Sequence, residues 1–281
     1  MKPAFQKDEA FLADVRRTLA SGSRRLWWLG QSGFLLVHKG RAIVLDPYLS
    51  DSLTRKYEKT DKPHVRMTER VVEPAALGAL GVLDLITSSH NHTDHLDAET
   101  LLPLFSLNPQ ARFVLPAANR SVALESLASS VQPEIVELDH GRAVTIGDIE
   151  ITGIASAHTA VEKDFAGRCL FLGYVLRWNG FTLYHSGDTL LHADLVRSLK
   201  PFSIDLALLP INGDRPERRV AGNLNGSQAA QLAHAMGARR VTPCHYDLFE
   251  FNTASPHEFI AKCVQLGQNY CILRHGEGLD L

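Results

Sequence analysis

A short segment of the first half of the chain concentrates side chains that can bind metal ions. The sequence HNHTDH, residues 90–95, directly follows the apolar run Leu83–Thr87 and holds three histidines and one aspartate. Imidazole nitrogens and carboxylate oxygens suit zinc and other borderline divalent ions. A polar surface loop is the alternative interpretation. One ion cannot comfortably use all four groups, so the pattern favours two ions.

Further potential ligands recur at equivalent places along the chain. Each stands at, or a few residues beyond, the end of an apolar run that predicts a strand: Asp46, His158, Asp188 and His245. Folds built on sheets commonly place their sites on the segments that leave the strands. Taken singly, each residue is more often a turn residue or a satisfied polar group. Together with HNHTDH they predict a site for a pair of divalent cations.

The order of predicted elements indicates what positions these residues. Several strand-like runs open the chain, and strands then alternate with helices from Leu83 onward. The same order begins again near Glu134, with a hairpin over Ala143–Ile154, and ends with a helix over Pro256–Leu266 and a strand over Tyr270–Arg274. We therefore predict an α/β fold of two similar halves, each a sheet covered by helices, packed sheet against sheet. No linker separates the halves, so residues 1–281 are predicted to form a single domain, with residues 1–24 as an amphipathic helical extension.

Composition narrows the class of protein. Apolar residues make up 45% and charged residues 21% of the 281 residues, and the net charge is −2. This balance is typical of a globular protein and gives no reason to expect a nucleic-acid partner. The N-terminus lacks the apolar core of a signal peptide, no run is long enough to cross a bilayer, and the four cysteines lack CxxC spacing. These features predict a cytoplasmic protein with reduced thiols that does not act at a membrane; homo-oligomerisation stays open.

The full pattern resembles the metallo-β-lactamase superfamily, with motifs from Asp46 to His245. This resemblance implies a four-layer αββα sandwich with the metals at one edge between the sheets. It implies that one ion is held by His90, His92 and His158, that a second is held by Asp94, His95 and His245, and that Asp188 bridges both. Asp46 matches an aspartate that in the family orients ligands without binding metal, and His185 is predicted to lie beside Asp188.

A narrower resemblance concerns one branch of that superfamily. The segments LGQSGFLL (29–36), LDPYLSDSL (45–53), HSGDT (185–189), LLPINGD (208–214), GNLN (222–225) and PCHYDLF (243–249) are similar to those of L-ascorbate-6-phosphate lactonases. The lactonase resemblance favours Mn²⁺, the superfamily as a whole favours Zn²⁺, and the ligand types also accept Fe²⁺.

These observations predict a metal-dependent hydrolase. Two adjacent cations would give a bridging hydroxide that attacks a small, anionic ester, lactone or phosphoester. We expect Asp188 and Asp94 to be the catalytic residues that fix and orient this hydroxide, with Asp94 relaying its proton. We expect Arg215, Arg218 and Asn212, which follow the run Leu206–Leu209, to bind the anionic part of the substrate.

Two other functions remain open from the sequence. A phosphodiesterase or nuclease could use the same pair of ions, although the near-neutral charge argues against a nucleic-acid substrate. A metal-binding regulator without catalysis is the second alternative, and the complete ligand set argues against it. The sequence has no GxSxG elbow and no GxxxxGK[ST] loop, so it offers no competing catalytic apparatus.

Overall fold

The computed structural model describes residues 1–127, 131–178 and 180–281. Within these ranges two mixed sheets pack face to face and helices cover their outer faces, which is the αββα sandwich expected from the sequence. The strands are β1 (Arg25–Gly30), β2 (Gly33–His38), β3 (Arg41–Leu45), β4 (Leu83–Thr87), β5 (Arg112–Pro116), β6 (Glu134–Leu138), β7 (Ala143–Ile146), β8 (Ile149–Ala155), β9 (Leu172–Trp178), β10 (Phe181–His185), β11 (Leu206–Pro210), β12 (Arg240–Cys244) and β13 (Gly278–Asp280). The helices are α1 (Asp8–Ser21), α2 (Ser52–Tyr57), α3 (Pro74–Gly78), α4 (Ala98–Leu107), α5 (Arg120–Leu127), α6 (Leu195–Leu199), α7 (Gly226–Met236) and α8 (His257–Leu266).

Both sheets are built on one plan. The first has the order β13-β1-β2-β3-β4-β5-β6, and the second has the order β12-β11-β10-β9-β8-β7. In each sheet a run of antiparallel pairs gives way to parallel pairs, at β3–β4 in the first sheet and at β10–β11 in the second. The parallel strands send their carboxyl ends to the same edge of each sheet, which brings together the segments that follow them.

Strands β1 to β5 of the first sheet are largely buried on both faces, which explains their mainly apolar sequences. Successive side chains of a strand point to opposite faces. Accordingly, Trp28 joins the core between the sheets, whereas its neighbour Trp27 joins the core beneath the outer helices. Helix α1 belongs to that outer core: Phe11 is fully buried and meets the Trp27 ring edge-on at 6.2 Å. The N-terminal amphipathic segment therefore covers the core of its own chain.

Two predicted elements differ from the structure. The strand predicted over Tyr270–Arg274 is wrong, because only Tyr270 forms an isolated bridge, to Val241. The last strand is instead β13, which pairs antiparallel with β1 and so extends the first sheet. The predicted loop Ser50–Glu73 contains helix α2.

Some predicted boundaries cannot be compared with the structure. The sequence predicts a helix over Ser121–Ala128 and a turn at Asn179-Gly180. Ala128 and Asn179 lie outside the described residues. Among the described residues, no helix has both the length and the apolar composition needed to span a bilayer. All four cysteines are free thiols, and three of them are buried.

Candidate metal centre

Segments from both sheets meet at one edge of the sandwich. Residues 90–95 form a tight turn between β4 and α4, closed by the backbone N–H of His95 donating to the carbonyl of His92 at 2.9 Å. From the second sheet, His158 follows β8, Asp188 follows β10 and His245 follows β12. The turn after a buried strand is short in each case, so the position of each side chain depends on the sheet and not on a mobile loop.

The structure brings all seven predicted ligands together. Three groups have one potential ligand atom per residue within 4.8 Å of one another: His90, His92 and His158; His90, His95 and Asp188; and Asp94, His95 and His245. The first and third groups are those that the family resemblance implied for two separate ions. Asp188 lies between them, with its two carboxylate oxygens 3.7 Å from Nε2 of His158 and 3.4 Å from Nε2 of His95.

Hydrogen bonds fix the orientation of two of these rings. Nδ1 of His95 lies 2.7 Å from the Asp46 carboxylate, and Nδ1 of His158 lies 2.7 Å from the carbonyl of Gly222. Since both partners are acceptors, each Nδ1 donates to its partner, and Nε2 is the nitrogen that is left to face the carboxylates of the centre. A hydrogen-bond acceptor behind the ring is the usual support of a metal-binding histidine. The rings are thus oriented for coordination through Nε2.

Asp46 is fully buried and supports the turn that carries the ligands. Besides His95, its carboxylate accepts hydrogen bonds from the backbone N–H of Ser89 at 3.0 Å and from the hydroxyl of Thr87 at 2.9 Å. Although burial opposes ionisation, His185 and His95 hold the pKa of Asp46 below its usual value. The carboxylate therefore remains charged and orients His95. Nε2 of His185 donates to the backbone oxygen of Ser32 at 2.9 Å, because a carbonyl oxygen only accepts.

The electrostatics of the cluster fit divalent cations. Burial raises the pKa of a carboxyl, but His245 and His95 outweigh it and hold the pKa of Asp188 well below the usual range; Asp94 is shifted in the same direction. Conversely, Asp188 and Asp94 overcome the effect of burial and raise the pKa of His245 to about 9.

Nε2 of His90 and Nε2 of His95 are buried without a hydrogen-bond partner among the described residues. Anionic carboxylates beside unsatisfied imidazole nitrogens are the environment that a bound cation would complete.

One residue of the centre, Gln31, was not expected from the sequence. Gln31, buried after β1, donates from Nε2 to the Asp94 carboxylate at 3.0 Å and lies 3.3 Å from Nε2 of His245. Its left-handed backbone, φ +47°, is unusual for a residue other than glycine. Within the quoted segment LGQSGFLL nothing marked Gln31 as closer to the metal centre than its neighbours.

The centre opens into a cavity of about 350 Å³, within the range of small-molecule sites. Most of its remaining wall comes from two loops: the first, residues 53–64, starts within α2, and the second, residues 211–225 between β11 and α7, contributes residues 219–221. Lys56, Lys62 and Arg219 supply positive charge at the mouth, and Leu53, Tyr57 and Phe249 supply apolar surface. The two loops touch, because Lys62 donates to the carbonyl of Arg219 and the Arg219 guanidinium pairs with Asp61.

The residues predicted to bind substrate lie elsewhere on the second loop. Arg218 donates to the backbone oxygens of Asn212 at 2.7 Å and Thr253 at 2.8 Å, so its guanidinium holds the loop together. The amide of Asn212 is buried and donates to Asn252 at 3.0 Å. Arg215 is exposed, and none of these three residues is among the described residues that line the cavity. Their part in substrate binding stays a prediction, while the adjacent Arg219 does line the cavity.

Asn225, the last residue of the segment GNLN (222–225), directly precedes α7 and could from its position cap this helix or contact substrate. In the structure it caps α7: its side-chain oxygen accepts from the backbone N–H of Gln228 at 2.8 Å, and the Gln228 side chain accepts from the backbone N–H of Asn225 at 2.9 Å. This reciprocal arrangement is a capping box. It fixes the start of α7 directly after the loop that carries Gly222, the partner of His158.

Comparison with known proteins agrees with this geometry. Residues 41–246 match the family model described as the beta-lactamase superfamily domain. A protein of Rubrobacter xylanophilus described as a UPF0173 metal-dependent hydrolase is 30% identical over 256 residues, which cover 88% of this chain and 91% of that protein.

Solved structures show the same fold. Igni18, a metallo hydrolase from Ignicoccus hospitalis, superposes with a TM-score of 0.66 at 22% identity, covering 92% of this chain and 98% of that one. An isothiocyanate hydrolase from Delia radicum gut bacteria gives a TM-score of 0.71 at 17% identity, covering 92% of this chain and 98% of that one. The family match, the identity and the shared fold together place the chain in the UPF0173 metal-dependent hydrolase family of the β-lactamase superfamily.

Proposed function

We propose that the protein hydrolyses a small, anionic ester, lactone or phosphoester with the help of two divalent cations. One observation carries the proposal: the seven clustered potential ligands lie at the base of a cavity whose mouth is lined by cationic side chains. His90, His92 and His158 would hold one ion and Asp94, His95 and His245 the other, with Asp188 between them. When bound, such cations supply Lewis acidity, which lowers the pKa of water and polarises a carbonyl or phosphoryl oxygen.

The protein's own residues orient the reaction. Asp188 is positioned by the hydroxyl of Ser32, which donates to it at 3.3 Å, and Asp94 is positioned by Gln31. Both carboxylates are ionised acceptors, so they can orient a water molecule through its hydrogens. We expect Asp94, the more accessible of the two, to accept the proton released by the attacking water.

The cavity mouth indicates the charge of the substrate. Lys56, Lys62 and Arg219 offer ammonium and guanidinium groups that suit a carboxylate or a phosphate. Lys56 and Lys62 come shortly after the segment LDPYLSDSL (45–53), which is similar to the lactonase branch. A lactone or phosphoester with a second anionic group is therefore the substrate class that we would test first, with Mn²⁺ and Zn²⁺ as the first metals.

Metal analysis with a substrate screen tests the proposal. Purified protein offered zinc, manganese and iron should bind close to two ions per chain and should hydrolyse members of a panel of carboxylate esters, lactones, phosphomonoesters and phosphodiesters. Asp188→Ala should abolish turnover and weaken the binding of one ion. Asp148→Ala, which removes an exposed carboxylate from the β7–β8 turn, is the matched control and should leave both unchanged.

Different outcomes separate the alternatives. Turnover confined to phosphodiesters would favour the phosphodiesterase, and metal binding without turnover would favour the regulator. A chain that stays metal-free, or full activity of Asp188→Ala, would refute the proposed site.

A further inference from the structure

One histidine outside the metal centre faces the same cavity. His64 lies in the segment between α2 and α3 and is buried, and its ring borders the cavity beside Lys62. Aromatic side chains surround it: the ring centroid is 4.6 Å from Tyr57, 5.3 Å from Phe249 and 5.1 Å from Phe251. Contacts on several sides hold the ring in one orientation.

A hydrogen bond fixes which nitrogen of His64 carries the proton. Nδ1 lies 2.8 Å from the backbone oxygen of Lys62. A carbonyl oxygen only accepts, so Nδ1 must donate to it. Burial lowers the pKa of His64 from its ordinary value, against the opposing effects of the Lys62 carbonyl and Asp94, and His245 and Lys56 lower it further. The ring is therefore neutral near pH 7, and Nε2 is an acceptor with a free lone pair.

That acceptor is available to a ligand. Among the described residues Nε2 of His64 has no hydrogen-bond partner, yet it is not among the polar atoms that are sealed from solvent. His64 is one of the residues that line the cavity. The charged residues of this segment that line the cavity with it, Lys56 and Lys62, are donors only, and the nearby Asp61 is paired with Arg219. The wall thus presents cations for an anionic group and one neutral acceptor beside them.

We propose that Nε2 of His64 accepts a hydrogen bond from a hydroxyl group of the substrate, so that His64 selects hydroxylated anions. The donor is uncharged because the adjacent lysines repel an ammonium group. This inference rests on the proposed function for the reaction at the metal centre, but it concerns recognition and is testable by binding alone. It narrows the substrate class to anions that carry a hydroxyl within reach of their charged group.

A matched pair of phosphates tests the hydrogen bond. sn-Glycerol 3-phosphate and propyl phosphate have the same three-carbon chain and the same charge. Glycerol 3-phosphate carries two hydroxyl groups, and propyl phosphate carries none. Isothermal titration calorimetry on the zinc-loaded protein, under conditions in which a phosphate-release assay detects no turnover of either ligand, should show about three- to tenfold tighter binding of glycerol 3-phosphate, the range expected for one hydrogen bond. His64→Phe, which keeps an aromatic ring but removes the acceptor, should bind both ligands with the affinity that the wild type shows for propyl phosphate.

Two further variants separate recognition from packing. His64→Gln places an amide oxygen near the position of Nε2 and should retain part of the preference for glycerol 3-phosphate. Lys62→Gln should weaken the binding of both phosphates by the same factor, because it removes charge and not the acceptor. A general loss of structure would instead change every affinity together and would lower the melting temperature of His64→Phe.

A spectroscopic measurement on the wild type avoids any folding defect of the variants. In ¹⁵N-labelled protein the imidazole resonances of His64 should report the neutral form with the proton on Nδ1. The Nε2 resonance should shift when glycerol 3-phosphate is added and should not shift with propyl phosphate. Equal binding of the two phosphates, no measurable binding of either, or a preference that survives in His64→Phe would overturn the inference. Hydrolysis in the ester screen would be unaffected by that result, so the two failures are distinguishable.

Discussion

The buried histidines of this chain differ in what surrounds their ring nitrogens. His95 and His158 each have one nitrogen fixed by an acceptor and the other directed at a carboxylate of the metal centre. His275 is buried as deeply but has no hydrogen-bond partner on either nitrogen among the described residues. Its ring packs edge-on against Trp28, with centroids 4.5 Å apart. It serves as an aromatic core residue that must remain neutral.

His275 should make stability depend on acid pH. Burial lowers its pKa from 6.5 to about 4. In the unfolded chain it binds a proton near pH 6.5, whereas in the folded chain it does so only near pH 4, so stability falls as the pH falls through this window. The shift corresponds to a loss of at most about 3 kcal/mol. Urea unfolding of metal-stripped protein at pH 7 and pH 4.5 measures the loss.

The variant His275→Gln isolates this contribution from that of other titrating groups. It removes the titration while keeping a similar side-chain volume, so its free energy of unfolding should depend on pH less steeply than that of the wild type. Parallel pH profiles of the two proteins would show that His275 is not the source of the effect.

The metal ligands could be predicted from the sequence because they closely follow buried strands. Most of the other residues that line the cavity do not. His90, His158 and Asp188 come shortly after apolar strands, and the sheet determines where strands end. Lys56 and His64 come from a long charged segment whose path over the cavity depends on contacts distant in sequence, such as that of Lys62 with the carbonyl of Arg219. Such contacts leave no local pattern. The sequence therefore indicates Arg215 and Arg218 as substrate-binding cations and gives no such indication for Lys56 or Lys62.

Among the elements, the strands were predictable where both faces are buried. Two-sided burial gives β1 to β4 continuous apolar sequences whose length and position are evident. The run Tyr270–Arg274 has a partly apolar sequence but forms only one bridge, and the carbonyl of Leu273 accepts from the Tyr246 hydroxyl at 2.7 Å. Strand β13 is only three residues long, with a partly buried polar sequence, and carries no detectable signal.

The turn after β10 depends on a glycine. Gly187 has a left-handed φ of +56°, and a Cβ placed there would lie 2.5 Å from Cβ of Ser89, in the turn after β4. The turn after β10 of the second sheet and the turn after β4 of the first sheet are therefore in close contact beside the metal centre. Gly187→Ala should lower the free energy of unfolding by about 2 to 4 kcal/mol, from the left-handed backbone and the clash together. It should also weaken metal binding, because Asp188 is the next residue.

Gly141→Ala is the matched control for this substitution. Gly141 has a similar left-handed φ of +73°, but a Cβ there meets nothing within 4 Å. Its alanine variant should lose about 1 kcal/mol and should bind metal normally. Denaturant unfolding and zinc titration of both variants give the comparison. Equal losses of stability would mean that the clash of the new side chain in Gly187→Ala with Ser89 does not destabilise the folded chain.

On the scale of the whole molecule, the candidate metal centre joins the two sheets. One set of ligands, residues 90–95, is carried by the first sheet, and His158, Asp188 and His245 are carried by the second. Each of the three ligand groups draws on both sheets. A bound ion would therefore be a cross-link between the two halves of the sandwich, in addition to the apolar core that they share.

Metal binding should accordingly stabilise the folded chain as a unit. A ligand that binds the folded state alone adds about 2.7 kcal/mol at a free concentration of 100 times its Kd. For a chain of this size we expect zinc to raise the melting temperature of metal-stripped protein by at least about 5 °C. His158→Gln removes a ligand contributed by the second sheet and should reduce this rise, whereas His234→Gln, which changes an exposed histidine of α7, should leave it intact. Calorimetric melting with and without zinc measures both. If zinc raises the melting temperature of His158→Gln as much as that of the wild type, His158 does not help to hold the ion, and the assignment of His90, His92 and His158 to one ion is refuted.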